Sequence, residues 1–194
     1  MSIDFGAQSA TLVYDEASNT YKKEIDAAKL FTELARQNWN YAEPGILFWD
    51  RISNWNLLSE DKEFSYAGTN PCAEEPLPAG GSCLLGSIIL PSFVKEDKTF
   101  DFEKLGEVVQ KSVEALNDVL DEGLMLHPLE EQRESVKKWR QIGLGILGLG
   151  DLLIKMEMKY GDEKSLEFCD KVARVIVNNA LKKSAMLAKE FGTY

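Results

Sequence analysis

The residues best suited to chemistry in this sequence lie at positions 69–77, which read TNPCAEEPL. In an extended segment alternate side chains point the same way, so Asn70, Cys72 and Glu74 would share one face. An amide, a thiol and a carboxylate would then follow one another at intervals of about 7 Å. Such polar groups are costly to bury unless they are paired or used. The pattern predicts a site whose chemistry depends on a thiol and carboxylates.

A plainer interpretation of the cysteines stays open. Cys72 would then be a small buried hydrophobic residue, Asn70 a turn former and Glu74 a solvated charge. Cys83 would be a core residue of a strand, and Cys169 would belong to the apolar face of a long helix. Composition alone leaves both interpretations standing.

Other kinds of site have few candidate residues. His127, the single histidine, precedes Pro128 at a predicted helix start and is interpreted as a surface or capping residue. No C-x-x-C pair occurs, so no metal site is predicted. A cysteine hydrolase built on Cys72 would need distant His127 as its base and is a weak alternative.

Length and composition limit the fold and the partners. The chain has 194 residues, 44% hydrophobic and 10% aromatic, which suits one folded domain and excludes a disordered acidic tail. A net charge of −10 argues against direct binding to DNA. No apolar run is long enough to span a membrane, and the N-terminus lacks a signal-peptide pattern. Three cysteines form no even disulfide set, which favours a reducing, cytoplasmic setting.

Most of the chain is predicted to be helical, because apolar residues recur at three- and four-residue steps after N-cap residues. Asp26 and Asp101 are the clearest predicted N-caps, each preceded by an apolar residue that would staple the first turn. The predicted helices cover 26–39, a short stretch from Pro44, 101–123, a polar stretch after Pro128, 142–158 and 162–191.

The stretch 65–91 differs from its surroundings, because it holds four of the six prolines and cannot form a long helix. It is predicted to be an extended segment, a loop and a strand at 83–90 that is buried on both faces. Two more short strands are predicted at 9–14 and 20–23. The Gly-x-Gly-x-x-Gly pattern within the predicted helix 142–158 follows no strand, so it is not interpreted as a dinucleotide-binding motif.

Three stretches resemble one family, the large catalytic subunit of ribonucleotide reductases. The central stretch, NPCAEEPLPAGGSCLLGSI at 70–88, is similar to the family's finger-loop region. The flanking stretches are AEPGILFWDRI at 42–52 and WRQIGLGILGL at 139–149, and they occur in the family order. The similarity is greatest to the adenosylcobalamin-dependent, class II branch and to related class I chains. It corresponds to the middle of a much longer protein.

The resemblance implies a role for each reactive residue. Cys72 would carry the thiyl radical that takes a hydrogen atom from C3′ of the ribose. Glu74 would accept the proton of the 3′-hydroxyl, and Asn70 would hold the ribose hydroxyls. Cys83 would be half of the cysteine pair that supplies two reducing equivalents and closes to a disulfide. Apolar segments on either side would shield the radical from water.

Some family features have no counterpart in this sequence. The partner of Cys83 lies upstream in the family, and residues 1–71 contain no cysteine. The family's phosphate-binding loop should follow the last helix, and no cobalamin-binding or allosteric nucleotide segment is recognisable. Ile89 stands where the family usually has asparagine, and Gly150 stands where it commonly has alanine.

The resemblance implies an α/β fold, the helix-rich central portion of the ten-stranded reductase barrel. Residues 1–194 would form a single partial barrel domain, with the finger loop at about 65–91. The implied function is that of a fragment or split subunit that helps reduce ribonucleoside di- or triphosphates to deoxyribonucleotides. It would need complementary reductase chains, adenosylcobalamin bound outside this chain and an external, thioredoxin-like dithiol. The alternative is a degenerate, non-catalytic module that folds or binds reductase partners without turnover.

Overall fold

The computed structural model describes residues 9–11, 14–15, 20–21 and 24–193. Contacts divide the chain into two compact units, Met1–Asn56 and Leu57–Tyr194. The expectation of a single partial barrel domain stays a prediction. Among the described helices, none has both the length and the apolar character that crossing a membrane requires.

The first unit begins with four short strands and one long helix. The strands form two antiparallel pairs, the first with the fourth and the second with the third, which confirms strand structure where it is predicted. Asp26 caps the helix as predicted, because its Oδ1 accepts the N–H groups of Ala28 at 3.0 Å and Lys29 at 3.2 Å. The staple that Ile25 would form lies outside the described side chains. The elements are β1 (Ser9–Thr11), β2 (Tyr14–Asp15), β3 (Thr20–Tyr21), β4 (Glu24–Asp26), α1 (Ala27–Tyr41) and α2 (Trp49–Ser53).

The prediction of a helix from Pro44 is wrong, since α2 begins only at Trp49. Helix α1 ends at Tyr41, and the residue after it, Ala42, has a left-handed φ of 57° that turns the chain away. Asn38 then donates its Nδ2 to the carbonyl oxygen of Pro44 at 3.2 Å. That carbonyl is therefore used by a side chain of α1, and the residues up to Phe48 form a loop.

The second unit contains the reactive stretch and the main core. Three of its helices, at 102–124, 130–139 and 163–191, agree with the predicted ones to within a few residues. Asp101 and Asp162 cap the first and the last of them, accepting the N–H groups of Lys104 at 3.0 Å and Ser165 at 2.8 Å. The elements are β5 (Gly68–Thr69), β6 (Pro76–Leu77), β7 (Leu84–Ile89), a 3₁₀ turn (Leu90–Phe93), α3 (Phe102–Leu124), α4 (Glu130–Trp139), β8 (Ile142–Leu147), α5 (Leu149–Lys155) and α6 (Glu163–Phe191).

The prediction of one helix over 142–158 is wrong. Residues Ile142–Leu147 form β8, which pairs in parallel with β7 from Leu84↔Ile142 to Ile89↔Leu147. Glycines at alternate positions weaken a helix and let the two backbones approach, so pairing with β7 decides the structure. Gly148, at φ 76°, then makes the turn into α5. The first two glycines of the Gly-x-Gly-x-x-Gly pattern lie inside the strand, which is not the geometry of a dinucleotide-binding turn.

The core of this unit lies where α3, α5 and α6 meet β7. Leu105, Val109 and Leu152 are fully buried there, and Phe100 packs edge-on against Phe168 at 5.2 Å between ring centroids. Burial of this apolar surface is the main source of stability that the described residues show. The core holds β7 in place and, through it, the residues that precede the strand.

The prediction that the β7 strand is buried on both faces is wrong for the described chain. Ile88 is buried in the core, but Leu85 and Ile89 are 68% and 56% exposed. The reason is that one face of the β7–β8 pair packs on α3, while the other face is left open to solvent at Leu85 and Ile89. The alternating exposure follows the two-residue period of a strand.

Candidate active site

A hairpin presents the reactive stretch. Strands β5 and β6 pair antiparallel through Gly68↔Leu77 and Thr69↔Pro76, and Ala67 donates its N–H to the carbonyl of Leu77 at 2.8 Å. The prediction of an extended segment over 69–77 is therefore wrong for 70–75, because these residues form the loop of the hairpin.

A tight turn at the tip explains the difference. Ala73 donates its N–H to the carbonyl of Asn70 at 3.0 Å, which places Pro71 at the second position of a β-turn. Proline is favoured there because its fixed φ suits that position. Ala73 adopts a left-handed φ of 65°, which reverses the chain toward Glu75. Within this turn the alternation of an extended strand is lost, so the side chains of Asn70, Cys72 and Glu74 do not have to lie on one face.

Asn70 holds this turn closed. Its Oδ1 accepts the backbone N–H of Glu75 at 3.0 Å, and its own N–H donates to the carbonyl of Glu75 at 3.2 Å. The interpretation of Asn70 as a turn former is therefore confirmed. The side chain is half-buried, so the hydrogen bond is partly protected from water.

Cys72 and Glu74 are exposed at the tip of the hairpin. Cys72 is a free thiol, as are Cys83 and Cys169. The interpretation of Cys72 as a small buried residue is therefore wrong. The expected apolar shield around Cys72 is not formed by the described residues either.

Cys83 lies just before β7 and close to a different carboxylate. If Gly143 carried a Cβ, that atom would be 2.7 Å from the Sγ of Cys83 and 3.2 Å from Oε1 of Glu75. Burial, and then the charges of Glu75 and Glu74, raise the pKa of the Cys83 thiol to about 11. The pKa of Glu75 is also raised, first by burial and then by the charge of Glu74.

A cavity of about 550 Å³ lies between the hairpin and the loop that leads to β7. Asn70 and Cys83 line it, but Cys72 and Glu74 do not. The structure thus brings two of the four predicted site residues to one cavity and leaves the other two at the open tip. The volume is that of a typical small-ligand site.

Gly80 fits this loop against α4. It has a left-handed φ of 66°, and a Cβ on it would stand 2.7 Å from the carbonyl oxygen of Glu131. Only a residue without a side chain can make this approach at that φ.

Two residues of the site are missed by the sequence analysis. Glu75 neighbours Glu74, and an alternating pattern assigns it to the opposite face. The predicted helix over 142–158 includes Gly143, although glycine at both 143 and 145 is also the pattern of a strand packed closely on another backbone.

Comparison with known proteins points to one family. The family model described as ribonucleotide reductase, barrel domain, matches residues 4–194. The vitamin B12-dependent ribonucleoside-diphosphate reductase of Thermoplasma acidophilum is 36% identical over 172 residues, which cover 89% of this chain and 22% of that protein. The protein of the same name from Mycobacterium tuberculosis is 33% identical over 170 residues, covering 88% of this chain and 24% of that protein. The chain therefore spans less than a quarter of these curated relatives.

A solved structure shows the same fold. The class Id ribonucleotide reductase alpha subunit of Actinobacillus ureae superposes with a TM-score of 0.71, over 86% of this chain and 32% of that chain, at 23% sequence identity. The predicted α/β fold, as part of a reductase barrel, is thereby confirmed. Because the family model spans nearly the whole sequence and the fold agrees with it, this chain belongs to the ribonucleotide reductase barrel-domain family.

Proposed function

We propose that this chain supplies the radical loop and one redox cysteine of a ribonucleotide reductase whose other parts lie on further polypeptide. The observation that carries the proposal is the hairpin, which exposes the thiol of Cys72 at its tip and leads back to Cys83 in the wall of a ligand-sized cavity. In the net reaction the C2′–O bond of the ribose breaks and a C–H bond forms. Water leaves, and two thiols close to a disulfide.

Cys72 is the residue we assign to hydrogen transfer. As a thiyl radical it would take the hydrogen atom from C3′, so that an S–H bond forms and the unpaired electron moves to the ribose. A thiol suits this step, because its S–H bond is weak enough to yield a radical and strong enough to accept hydrogen. The exposure of Cys72 at the tip leaves it accessible to a substrate held by the complementary chains.

Glu74 and Asn70 are assigned to the ribose hydroxyls. The Glu74 carboxylate would take the proton of the 3′-hydroxyl as C3′ loses its hydrogen atom. The Oδ1 atom of Asn70 is used by the N–H of Glu75, so its Nδ2 group is the donor that we assign to a ribose hydroxyl.

Cys83 would provide one of the two thiols that are oxidised, and a cysteine of a complementary chain would provide the other. Each thiol gives up one hydrogen, and together they supply the two electrons that the ribose gains. An external, thioredoxin-like dithiol would then reduce the disulfide. Free thiols at all three cysteines fit the reducing cytoplasm, where we place this reaction.

Adenosylcobalamin is the cofactor we propose for the whole enzyme, because the relatives cited above are named as vitamin B12-dependent. When bound to the whole enzyme, adenosylcobalamin would supply the radical. The cavity beside the hairpin, about 550 Å³, suits a ligand smaller than a corrin ring with its side arms. This cavity therefore does not fit the cofactor, and we assign the cofactor's binding surface to the complementary chains.

A chimera tests the proposal. Residues 4–194 would replace the matching segment of the Thermoplasma acidophilum relative, and deoxynucleotide formation would be measured with ribonucleoside diphosphate, adenosylcobalamin and a dithiol. We expect turnover that Cys72→Ser abolishes. Cys169→Ser, in α6, is the matched control and should keep turnover.

Two results would count against it. Turnover that survives Cys72→Ser would remove the radical assignment. A folded chimera that binds nucleotide but yields no deoxynucleotide, even with native Cys72, would favour the non-catalytic alternative. Replacing the diphosphate by a triphosphate in the same assay distinguishes the two substrate classes.

A further inference from the structure

Glu75 and Cys83 both approach a third residue, Gly143, that has no side chain. Gly143 is buried in β8 opposite Leu85 of β7, and both Sγ of Cys83 and Oε1 of Glu75 lie within 3.2 Å of the position that its Cβ would occupy. The hairpin loop, the start of β7 and β8 thus converge on one point. Because Gly143 has no Cβ, there is room beside it for both the thiol of Cys83 and the carboxylate of Glu75.

The charged groups around this point are acidic. The two charges that act on the Cys83 thiol are those of Glu75 and Glu74. Before the hairpin, the pKa of Tyr66 is raised by burial and then by the charge of Glu75. Strand β8 contributes Gly143, which has no titratable side chain. From α4, Glu131 packs against Gly80 of the same loop.

Negative neighbours matter because the thiolate is the form of cysteine that attacks disulfides and alkylating reagents. A carboxylate close to Sγ opposes a second negative charge there. The function proposed above needs Cys83 as S–H, since this residue must give up a hydrogen when the disulfide forms. A carboxylate beside Sγ would preserve that form until the redox partner is in place.

We propose that Glu75 is a positioning residue for Cys83: its carboxylate, which shares the space beside Gly143 with Sγ, holds Cys83 as a thiol and protects it from premature exchange. The inference rests on the proposed function for the redox role of Cys83, but not for the arrangement of the two side chains around Gly143. Glu75 acts through Cys83 and touches no substrate atom in this assignment.

The test measures the pH profile of Cys83 alkylation. In a Cys72→Ser/Cys169→Ser background Cys83 is the single thiol, and its second-order rate constant with iodoacetamide is followed from pH 7 to pH 12. Glu75→Gln should lower the midpoint of this profile and raise the rate at pH 8 roughly three- to tenfold, since one pH unit of midpoint corresponds to a factor of ten. Glu74→Gln is the matched control, and its smaller charge effect should shift the midpoint less.

The rate at the high-pH plateau separates charge from mere opening of the loop. A lost charge moves the midpoint and leaves the plateau rate unchanged, whereas a loosened hairpin raises the rate at every pH. An unmoved midpoint in Glu75→Gln overturns the proposal, as does an equal shift in Glu74→Gln.

A second measurement covers the case in which Glu75→Gln does not fold. In the parent background, raising the salt concentration to 1 M should screen the carboxylate and lower the midpoint, and a salt-independent midpoint would overturn the proposal. The alkylation readout requires no turnover. An inactive chimera with a shifted Cys83 profile would therefore contradict the proposed function alone, and an active chimera with an unshifted profile would contradict only the role of Glu75.

Discussion

Asn70 accepts the backbone N–H of Glu75 through Oδ1 at 3.0 Å, so one side chain closes the turn that presents Cys72. The neighbouring bond from Ala73 N to the carbonyl of Asn70, at 3.0 Å, closes the same turn through the backbone. In the proposed reaction Asn70 also binds a ribose hydroxyl through Nδ2. Its two polar atoms therefore have separate duties, which substitutions can separate.

Asn70→Ala should reduce both stability and turnover. It leaves the half-buried N–H of Glu75 without its acceptor, which costs about 1 kcal/mol in the free energy of unfolding. Asn70→Asp keeps an acceptor at Oδ1 but has no Nδ2, so it should retain stability in 0.5 M salt, where the added charge is screened, and still lose turnover. Urea unfolding followed by circular dichroism gives the first quantity, and the chimera assay gives the second.

Each of these two expectations has an outcome that would contradict it. If Asn70→Asp turns over like the parent chimera, the Nδ2 group has no part in binding the ribose. If Asn70→Ala is as stable as the parent, the side-chain bond does not hold the turn.

Gly143→Ala should destabilise the chain, because its Cβ would stand 2.6 Å from Cδ2 of Leu85 and 2.7 Å from Sγ of Cys83. Leu85 is exposed and its side-chain end can move, but the short side chain of Cys83 has little freedom. Overpacking of this kind costs about 1–3 kcal/mol. The free energy of unfolding in urea measures it.

Gly145→Ala, two residues further along the same strand, is the matched control. A Cβ there would lie 3.5 Å from Oγ of Ser87, which is an ordinary contact. That variant should be as stable as the parent or up to about 1 kcal/mol more stable, because alanine restricts the unfolded chain. Equal losses in the two variants would show that Gly143 is not crowded by Cys83 and Leu85.

Local signals predict much of the fold, because capping and helical periodicity depend on residues close in sequence. Asp101 and Asp162 each bond an N–H three residues ahead, and each begins a helix where predicted. Strand β8 is not predicted, because its glycines have no side chains and therefore do not show the alternating pattern of a strand. Its structure depends on pairing with β7, more than fifty residues earlier in the chain.

The candidate site can likewise be predicted from the sequence only in part. Cys72 and Cys83 can be identified from the sequence, because their motif resembles that of a family. The sequence does not show whether Glu74 or Glu75 lies closer to Cys83, since Pro71 suits both an extended run and the second position of a β-turn. The structure has the turn, and in it Glu75 and Cys83 both lie beside Gly143, while Glu74 is exposed.

A valine-to-alanine substitution should lower the free energy of unfolding by different amounts at two positions of α3, because only one of them lies in the core. Val109 is fully buried, whereas Val119 is 52% exposed. Val109→Ala removes two buried methyl groups and leaves a small cavity, which should cost about 2 kcal/mol in the free energy of unfolding. Val119→Ala should change it by less than about 0.5 kcal/mol. Similar urea midpoints for the two variants would mean that α3 does not pack on the core as described.

Alkaline pH should destabilise the chain through Cys83. The pKa of its thiol is raised from 9.0 to about 11 in the folded chain, first by burial and then by Glu75 and Glu74. The contribution of the neutral thiol to stability is therefore complete below pH 9 and is lost as the pH rises through about 11, because the unfolded chain ionises first. Between pH 8 and pH 11 the melting temperature of Cys83→Ala should fall less than that of the parent. Val109→Ala, which is destabilised but does not titrate, should keep the parent's pH dependence. Parallel curves for Cys83→Ala and the parent would show that the carboxylates and burial leave Cys83 free to ionise in the folded chain.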